Sequence, residues 1–213
     1  MSPRTPMQFK EMRDVKMALI MDVALEHFAN EGYFRTTISH IARHAGISKG
    51  LMYNYFDSKE ALLKAIIHRS VNEVYNYIDI HDKSCLTEED FVTSIRKITV
   101  LLEEKRYFWQ LLMQLVVQND VREQFVNAFP ESDSLMHPGH EPGDYNYPSN
   151  IFKLFTGYFQ AKKTEKGEFY DPDSDFELFI TTLLGYSIKT IYMDSADNDA
   201  DEKMIDRIIE QFK

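Results

Sequence analysis

The side chains able to make or break bonds, or to hold a metal, are few and scattered. His40 and His44 stand four residues apart, which puts two imidazoles on one side of a helix at metal-ligand spacing. A bound ion needs three or four ligands, and no third is evident nearby. His137-Pro-Gly-His140, with Glu141 and Asp144, offers similar donors in a Pro/Gly-rich stretch, where solvated side chains are the simpler expectation. Cys85 is the only cysteine, which excludes an intrachain disulfide and a Cys-based metal site, and no base accompanies it. No two glycines are separated by a single residue and there is no Gly-x-Ser-x-Gly, so phosphate-loop, dinucleotide and nucleophile-elbow signatures are missing. A different chemistry gathers between Thr36 and Leu62, where hydroxyls, an amide and two lysines lie close together. Such groups recognise; they do not turn over substrate. No metal, no cofactor and no enzymatic activity is expected.

The elements that must position these groups are helices. No proline occurs from Met7 to Phe129, and only Gly32, Gly46 and Gly50 interrupt that stretch. Helices tolerate such a run, whereas strands would need turns within it. Met17, Ile20, Met21, Ala24, Leu25 and Phe28 recur at the three-and-four spacing of an amphipathic helix that Gly32 can end. Ile38, Ile41, Ala42 and Ala45 make a second short stripe, and Leu51, Met52, Tyr55 and Phe56 a third. Asp57-Ser-Lys-Glu60 has capping-box spacing and opens a helix through Ile78. Further helical patterns cover about 87–105, 106–128, 149–163, 173–193 and 200–212. Four of the seven prolines fall between Pro130 and Pro148, which predicts a long loop there. No period-two pattern and no repeat is present. The expected class is all-α, with about nine helices.

Two short helices around Gly46 make a helix-turn-helix. Ala42 is small where the helices cross, Gly46 can take a positive φ, Ile47 plugs the gap, and Ser48 can cap the second helix. The stretch Ile41-Ala42-x-x-Ala45-Gly46-Ile47-Ser48-Lys49-Gly50-x-x-Tyr53-x-Tyr55-Phe56-x-Ser58-Lys59-Glu60-x-Leu62 resembles the TetR family of bacterial transcriptional regulators over about residues 12–75. The resemblance implies that Thr37 binds phosphate, as well as capping its helix, and that Ser39 faces a DNA groove. It implies base or phosphate contacts from Ser48, Lys49, Gly50, Leu51, Tyr53 and Asn54 at the recognition helix, and a phosphate contact from Lys59. Leu51 stands where a small or hydroxyl residue is common, and Asn54 where an aromatic or His is common. Both departures bear on the operator sequence rather than the fold.

Net charge sharpens this division of labour. The total is −10, which by itself argues against a polyanionic partner. Residues 1–70, however, hold 10 Lys+Arg against 7 Asp+Glu, and residues 71–213 hold 14 against 27. A head of +3 therefore precedes a body of −13, which suggests two jobs in one polypeptide. The expected domains are 1–57 for DNA binding and 58–213 for regulation and dimerisation, with a helix at about 58–79 connecting them. In regulators of this family the C-terminal helices form a ligand pocket and a dimer interface. Here Phe176, Ile180, Leu184, Ile188, Ile205 and Ile209 are the interface candidates. Trp109, Met113, Phe155 and Tyr158 are pocket candidates, although a packed core is the commoner explanation for such aromatics. The N-terminal segment has no signal-peptide core, and no apolar run approaches a membrane span, so a cytoplasmic protein is expected. The function expected is that of a ligand-responsive regulator, a repressor, which binds a palindromic operator as a homodimer and leaves it with a small-molecule effector. The alternative is a small-molecule-binding or protein-interaction module that shares the fold without operator control.

Overall fold

Thr5, Pro6 and Gln8 start the first helix. The Thr5 hydroxyl accepts from the Gln8 backbone N–H at 3.3 Å, and the Gln8 side chain accepts from the Thr5 N–H at 3.0 Å. This reciprocal cap, with proline at the first helical position, begins α1 (Pro6–Glu31) well before the apolar stripe that predicts it. The extra turns are exposed, Met7, Phe9, Met12 and Val15 included, whereas Ile20, Met21, Ala24, Leu25 and Phe28 are buried. In this computed structural model the described residues are 5–79, 85–119, 121, 149–193 and 198–213. They form α2 (Ile38–His44), α3 (Lys49–Tyr53), α4 (Lys59–Ile78), α5 (Glu88–Glu104), α6 (Arg106–Val116), α7 (Ser149–Lys166), α8 (Pro172–Tyr192) and α9 (Asn198–Phe212). No strand occurs among the described residues, and the all-α class holds. The expected loop at 130–148, with His137 and His140, lies outside them. No helix among them is long and apolar enough to cross a membrane.

Two local expectations need correcting. Helix α4 is capped by Ser58 rather than Asp57: the Ser58 hydroxyl accepts from the Ala61 N–H at 3.0 Å, which moves the cap one residue along. The pattern expected over 106–128 is interrupted rather than continuous: α6 ends at Val116, residues 119 and 121 are helical again, and 120 and 122–128 lie outside the described residues. At the interruption the Gln118 side chain turns to α1, donating to the Phe28 carbonyl at 2.8 Å and accepting from the Tyr33 N–H at 3.0 Å.

The chain divides into two compact units. One comprises Met1–Arg69 and Leu111–Gly143, the other Ser70–Gln110 and Asp144–Lys213. In the first, α1 packs on α2 and α2 on α3 over Ile41, Ala42, Met52 and Phe56. Leu62, Leu63, Ile66 and Ile67 of α4 are fully buried. In the second, α8 packs against α5, α7 and α9 around a group of rings. Phe91 stacks on Tyr158 at 4.6 Å and meets Phe159 and Phe179 at 6.0 and 5.2 Å. The end of α8 is held by α6: Arg106 donates to the carbonyls of Ile191 and Met193 at 2.9 and 2.6 Å, and Gln110 donates to Ile191 at 2.8 Å. Among its described residues one cation is buried. The Lys162 ammonium donates to the Phe212 carbonyl at 2.6 Å, near the faces of Tyr158 and Phe159.

Ile205 and Ile209, expected at a dimer interface, lie in the core of this unit at 4% and 3% exposure. Phe176 and Ile180 pack partly against the same core. Leu184 and Ile188 face outward at 47% and 49%, with Tyr192 on the same side at 45%. The apolar spacing of α8 and α9 is real, but most of it serves the unit's own packing.

Candidate nucleic-acid interface

Three capping hydroxyls and one left-handed turn set the geometry of the helix-turn-helix. Thr36 is buried, and its hydroxyl donates to the carbonyls of Gly32 and His27 at 3.0 and 3.2 Å, anchoring the approach to α2. Thr37 is exposed and caps α2, accepting from the His40 N–H at 3.2 Å. Gly46 then turns with φ +67°, a region that side chains with a Cβ rarely occupy, and the Ile47 N–H donates to the Ala42 carbonyl at 2.9 Å. Ser48 caps α3 by accepting from the Leu51 N–H at 3.1 Å.

Helix α3 has two faces. Met52 is fully buried, and Phe56 beyond its end is 5% exposed. Ser48, Lys49, Gly50, Leu51, Tyr53 and Asn54 are exposed, as are Thr37 and Ser39 at α2. Leu51 and Tyr53, expected as contacts, both point to solvent. Asn54 is also held from a distance. Arg13 of α1 donates to its carbonyl at 3.0 Å, and the same guanidinium lies 5.2 Å from the Tyr55 ring centroid. Sequence reasoning missed Arg13, because a contact across 41 residues leaves no local pattern.

Lys59 differs from the other expected contacts in being half-buried. Its ammonium donates to the carbonyls of Tyr33 at 2.8 Å, Thr36 at 3.1 Å and Phe34 at 3.4 Å, and sits 4.4 Å from the Tyr33 ring centroid. Burial lowers its pKa from the usual lysine value. Its three protons face the turn that delivers Thr37.

Beside this surface, the pair His40/His44 gains a neighbour the sequence did not disclose. His27 of α1 brings Nε2 to 2.5 Å from His44 Nδ1, and Glu31 accepts from His27 Nδ1 at 2.7 Å. The signal was a second four-residue spacing, His27/Glu31, on the preceding helix. Hydrogen bonding from His27, aided by the nearby imidazoles, holds the Glu31 carboxyl below its usual range. Loss of hydration and the neighbouring His27 and His40 lower the pKa of His44.

Two of the pocket candidates pack inside a core. Phe155 stacks on Phe179 at 5.8 Å and Tyr158 on Phe91, both inside the second unit's core. Met113 belongs to the first unit and is half-buried. Trp109 is buried at 6% exposure in the second unit, and its indole N–H meets no acceptor among the described residues. A cavity of about 540 Å³ in the second unit has a mixed lining, with Arg96, Glu103 and Arg106 beside Val100, Tyr186 and Ile205.

Comparison with known proteins agrees with the helix-turn-helix. Residues 20–66 match the family described as bacterial regulatory proteins, tetR family. The chain is 41% identical over 63 residues to the uncharacterised HTH-type transcriptional regulator YuxN of Bacillus subtilis (strain 168), covering 30% of this chain and 22% of that protein. It is 31% identical over 88 residues to the HTH-type transcriptional regulator BetI of Rhizobium meliloti (strain 1021), covering 41% and 43%. These matched stretches span less than half the length of either relative. The crystal structure of the transcriptional regulator FadR from Bacillus subtilis in complex with stearoyl-CoA superimposes with a TM-score of 0.65 at 17% identity, over 92% of this chain and 96% of that one. At that identity the likeness is one of fold.

Proposed function

We infer, from a chain that belongs to the TetR family of bacterial regulatory proteins, that it is a DNA-binding transcriptional regulator acting in the cytoplasm as a repressor. The observation that carries this reading is the outward face of the helix-turn-helix: Thr37, Ser39, Ser48, Lys49, Gly50, Leu51, Tyr53 and Asn54 are all exposed. A hydroxyl, an ammonium, an amide and a bare glycine backbone suit phosphates and base edges, and Leu51 suits a thymine methyl. Lys59 contributes by holding the turn before Thr37 and by adding positive charge near phosphate. In this reading residues 1–57 bind DNA and residues 58–213 regulate and dimerise.

The outward stripe Leu184, Ile188 and Tyr192 supports a two-fold homodimer through α8, centred there rather than on Ile205 and Ile209. Two copies would set recognition helices one or more DNA turns apart, about 34–36 Å per turn, on a palindromic operator. An effector that prefers a second dimer geometry lowers DNA affinity by that preference alone. The Trp109 N–H, which meets no acceptor among the described residues, supports an effector site beside it, for a molecule with an apolar body and a hydrogen-bond acceptor.

Fluorescence anisotropy with the DNA upstream of the chain's own gene, compared with scrambled DNA across a salt series, tests this reading. The upstream DNA should bind more tightly, and affinity should fall log-linearly with salt as counterions are released. Equal, weak binding to both sequences at every salt concentration would leave the small-molecule or interaction module in its place.

A further inference from the structure

Two helical pairs of chemically capable residues face one another in the first unit: His27/Glu31 on α1 and His40/His44 on α2. The three imidazole ring centroids form a triangle with sides of 4.5, 4.5 and 4.6 Å. One ring nitrogen from each histidine lies within 4.8 Å of the others, and this is the one group of its kind among the described residues. His27 and His40 keep 12% and 28% of their side-chain surface exposed, so an ion has a path in.

Glu31 reaches two of the rings. Its carboxylate oxygens lie 2.7 Å from His27 Nδ1 and 3.4 Å from His40 Nδ1. A carboxylate at Nδ1 fixes the proton there and leaves the Nε2 lone pair free for a metal, the usual arrangement behind metal-bound histidines. For His27 that free Nε2 is the atom facing His44 Nδ1. A tetrahedral ion about 2.0–2.1 Å from each nitrogen would hold the nitrogens about 3.3 Å apart. The present spacings, from 2.5 Å up to 4.8 Å, bracket that value.

We propose that His27, His40 and His44 bind a divalent transition-metal ion of the Zn²⁺ class, oriented by Glu31, and so clip α1 to α2. Three neutral imidazoles without a thiolate select zinc, nickel or cobalt over magnesium and calcium, which want oxygen, and over copper(I), which wants sulfur. A fourth position stays open to water. The bound ion ties the helix that carries Thr37 and Ser39 to the long helix before it.

Zn²⁺ alone, titrated into the purified full chain against a chromophoric chelator, tests the site; Co²⁺ gives its visible spectrum. One ion per chain should bind, raising the melting temperature by roughly 5 °C when the metal is well above its Kd. H27A and H44A should each weaken binding on the order of 100-fold, and E31Q about 10-fold, as loss of an orienting group does. H137A/H140A should change nothing. Because His44 and Glu31 are exposed, circular dichroism of H44A and E31Q should match the parent chain, so the result stands even if H27A fails to fold. Stoichiometric binding that survives H27A or H44A, or vanishes with H137A/H140A, overturns the proposal, as does the lack of binding at micromolar Zn²⁺.

Discussion

Lys59 shows how a residue read as a ligand contact can hold its own scaffold. Its ammonium meets three carbonyls between Tyr33 and Thr36, so removing it loosens the turn that presents Thr37 as well as removing a charge. Lys59→Ala should therefore weaken binding to operator and unrelated DNA by about the same factor, roughly 10-fold, and also lower stability by about 1–2 kcal/mol. Anisotropy on both DNAs with thermal unfolding of the free protein measures the two effects. A changed base preference at unchanged affinity would show that the side chain reads sequence instead. The caps at Thr37 and Ser48 were legible because a hydroxyl beside a helical stripe is a local pattern. Arg13 and the carbonyls around Lys59 were not, because they meet through folding and leave no spacing to read; His27 left the four-residue spacing to Glu31 but nothing that joined it to His40 and His44.

At the scale of elements, spacing revealed which positions are apolar but not what they are apolar against. Helix α8 carries apolar residues on several sides. Phe179 and Ile191 are buried in the unit's core, Phe176 and Ile180 lean on it, and Leu184 and Ile188 stand outside. In α9, Ile205 and Ile209 point inward. The two groups should respond differently to charge. L184E/I188E should give a folded monomer in sedimentation velocity, with its helical circular dichroism intact. I205E should lose about 3–5 kcal/mol and largely unfold, because an unpaired carboxylate cannot be buried there. A folded dimer after L184E/I188E would move the interface off α8. Helix ends were less legible than helix faces: the Thr5 cap lay outside any apolar stripe, and Gln118 ends α6 through a contact to α1.

For the molecule as a whole, the charge count proves to be an average over two unlike stretches. The +3 segment carries the helix-turn-helix and the −13 segment follows it. Repulsion between the acidic segment and a duplex should suppress sequence-independent binding, which leaves affinity to a few contacts. The proposed effector site is the part the sequence disclosed least. Aromatic residues fill a core or line a pocket with the same composition, and Phe155 and Tyr158 fill one. Trp109 is the chain's only tryptophan, so its fluorescence is an unambiguous reporter. An effector that releases the operator should shift or quench that emission. Trp109→Phe should abolish the signal and weaken effector binding several-fold, while DNA affinity without effector stays unchanged. An effector that releases DNA with no change in Trp109 emission would place its site elsewhere.

The buried Lys162 constrains how this chain can drift over evolutionary time. Its side chain is 8% exposed, and beside the ring faces of Tyr158 and Phe159 it donates to the backbone carbonyl of Phe212, at the end of α9. Any side chain at 212 supplies a carbonyl, so substitution there leaves the acceptor in place. Insertion or deletion within α9 does not, because each residue swings the helix end by about 100° and moves it by about 1.5 Å. The length of α9 and the identity of residue 162 should therefore change together among descendants of this sequence, with an uncharged residue at 162 wherever the last helix has gained or lost a residue.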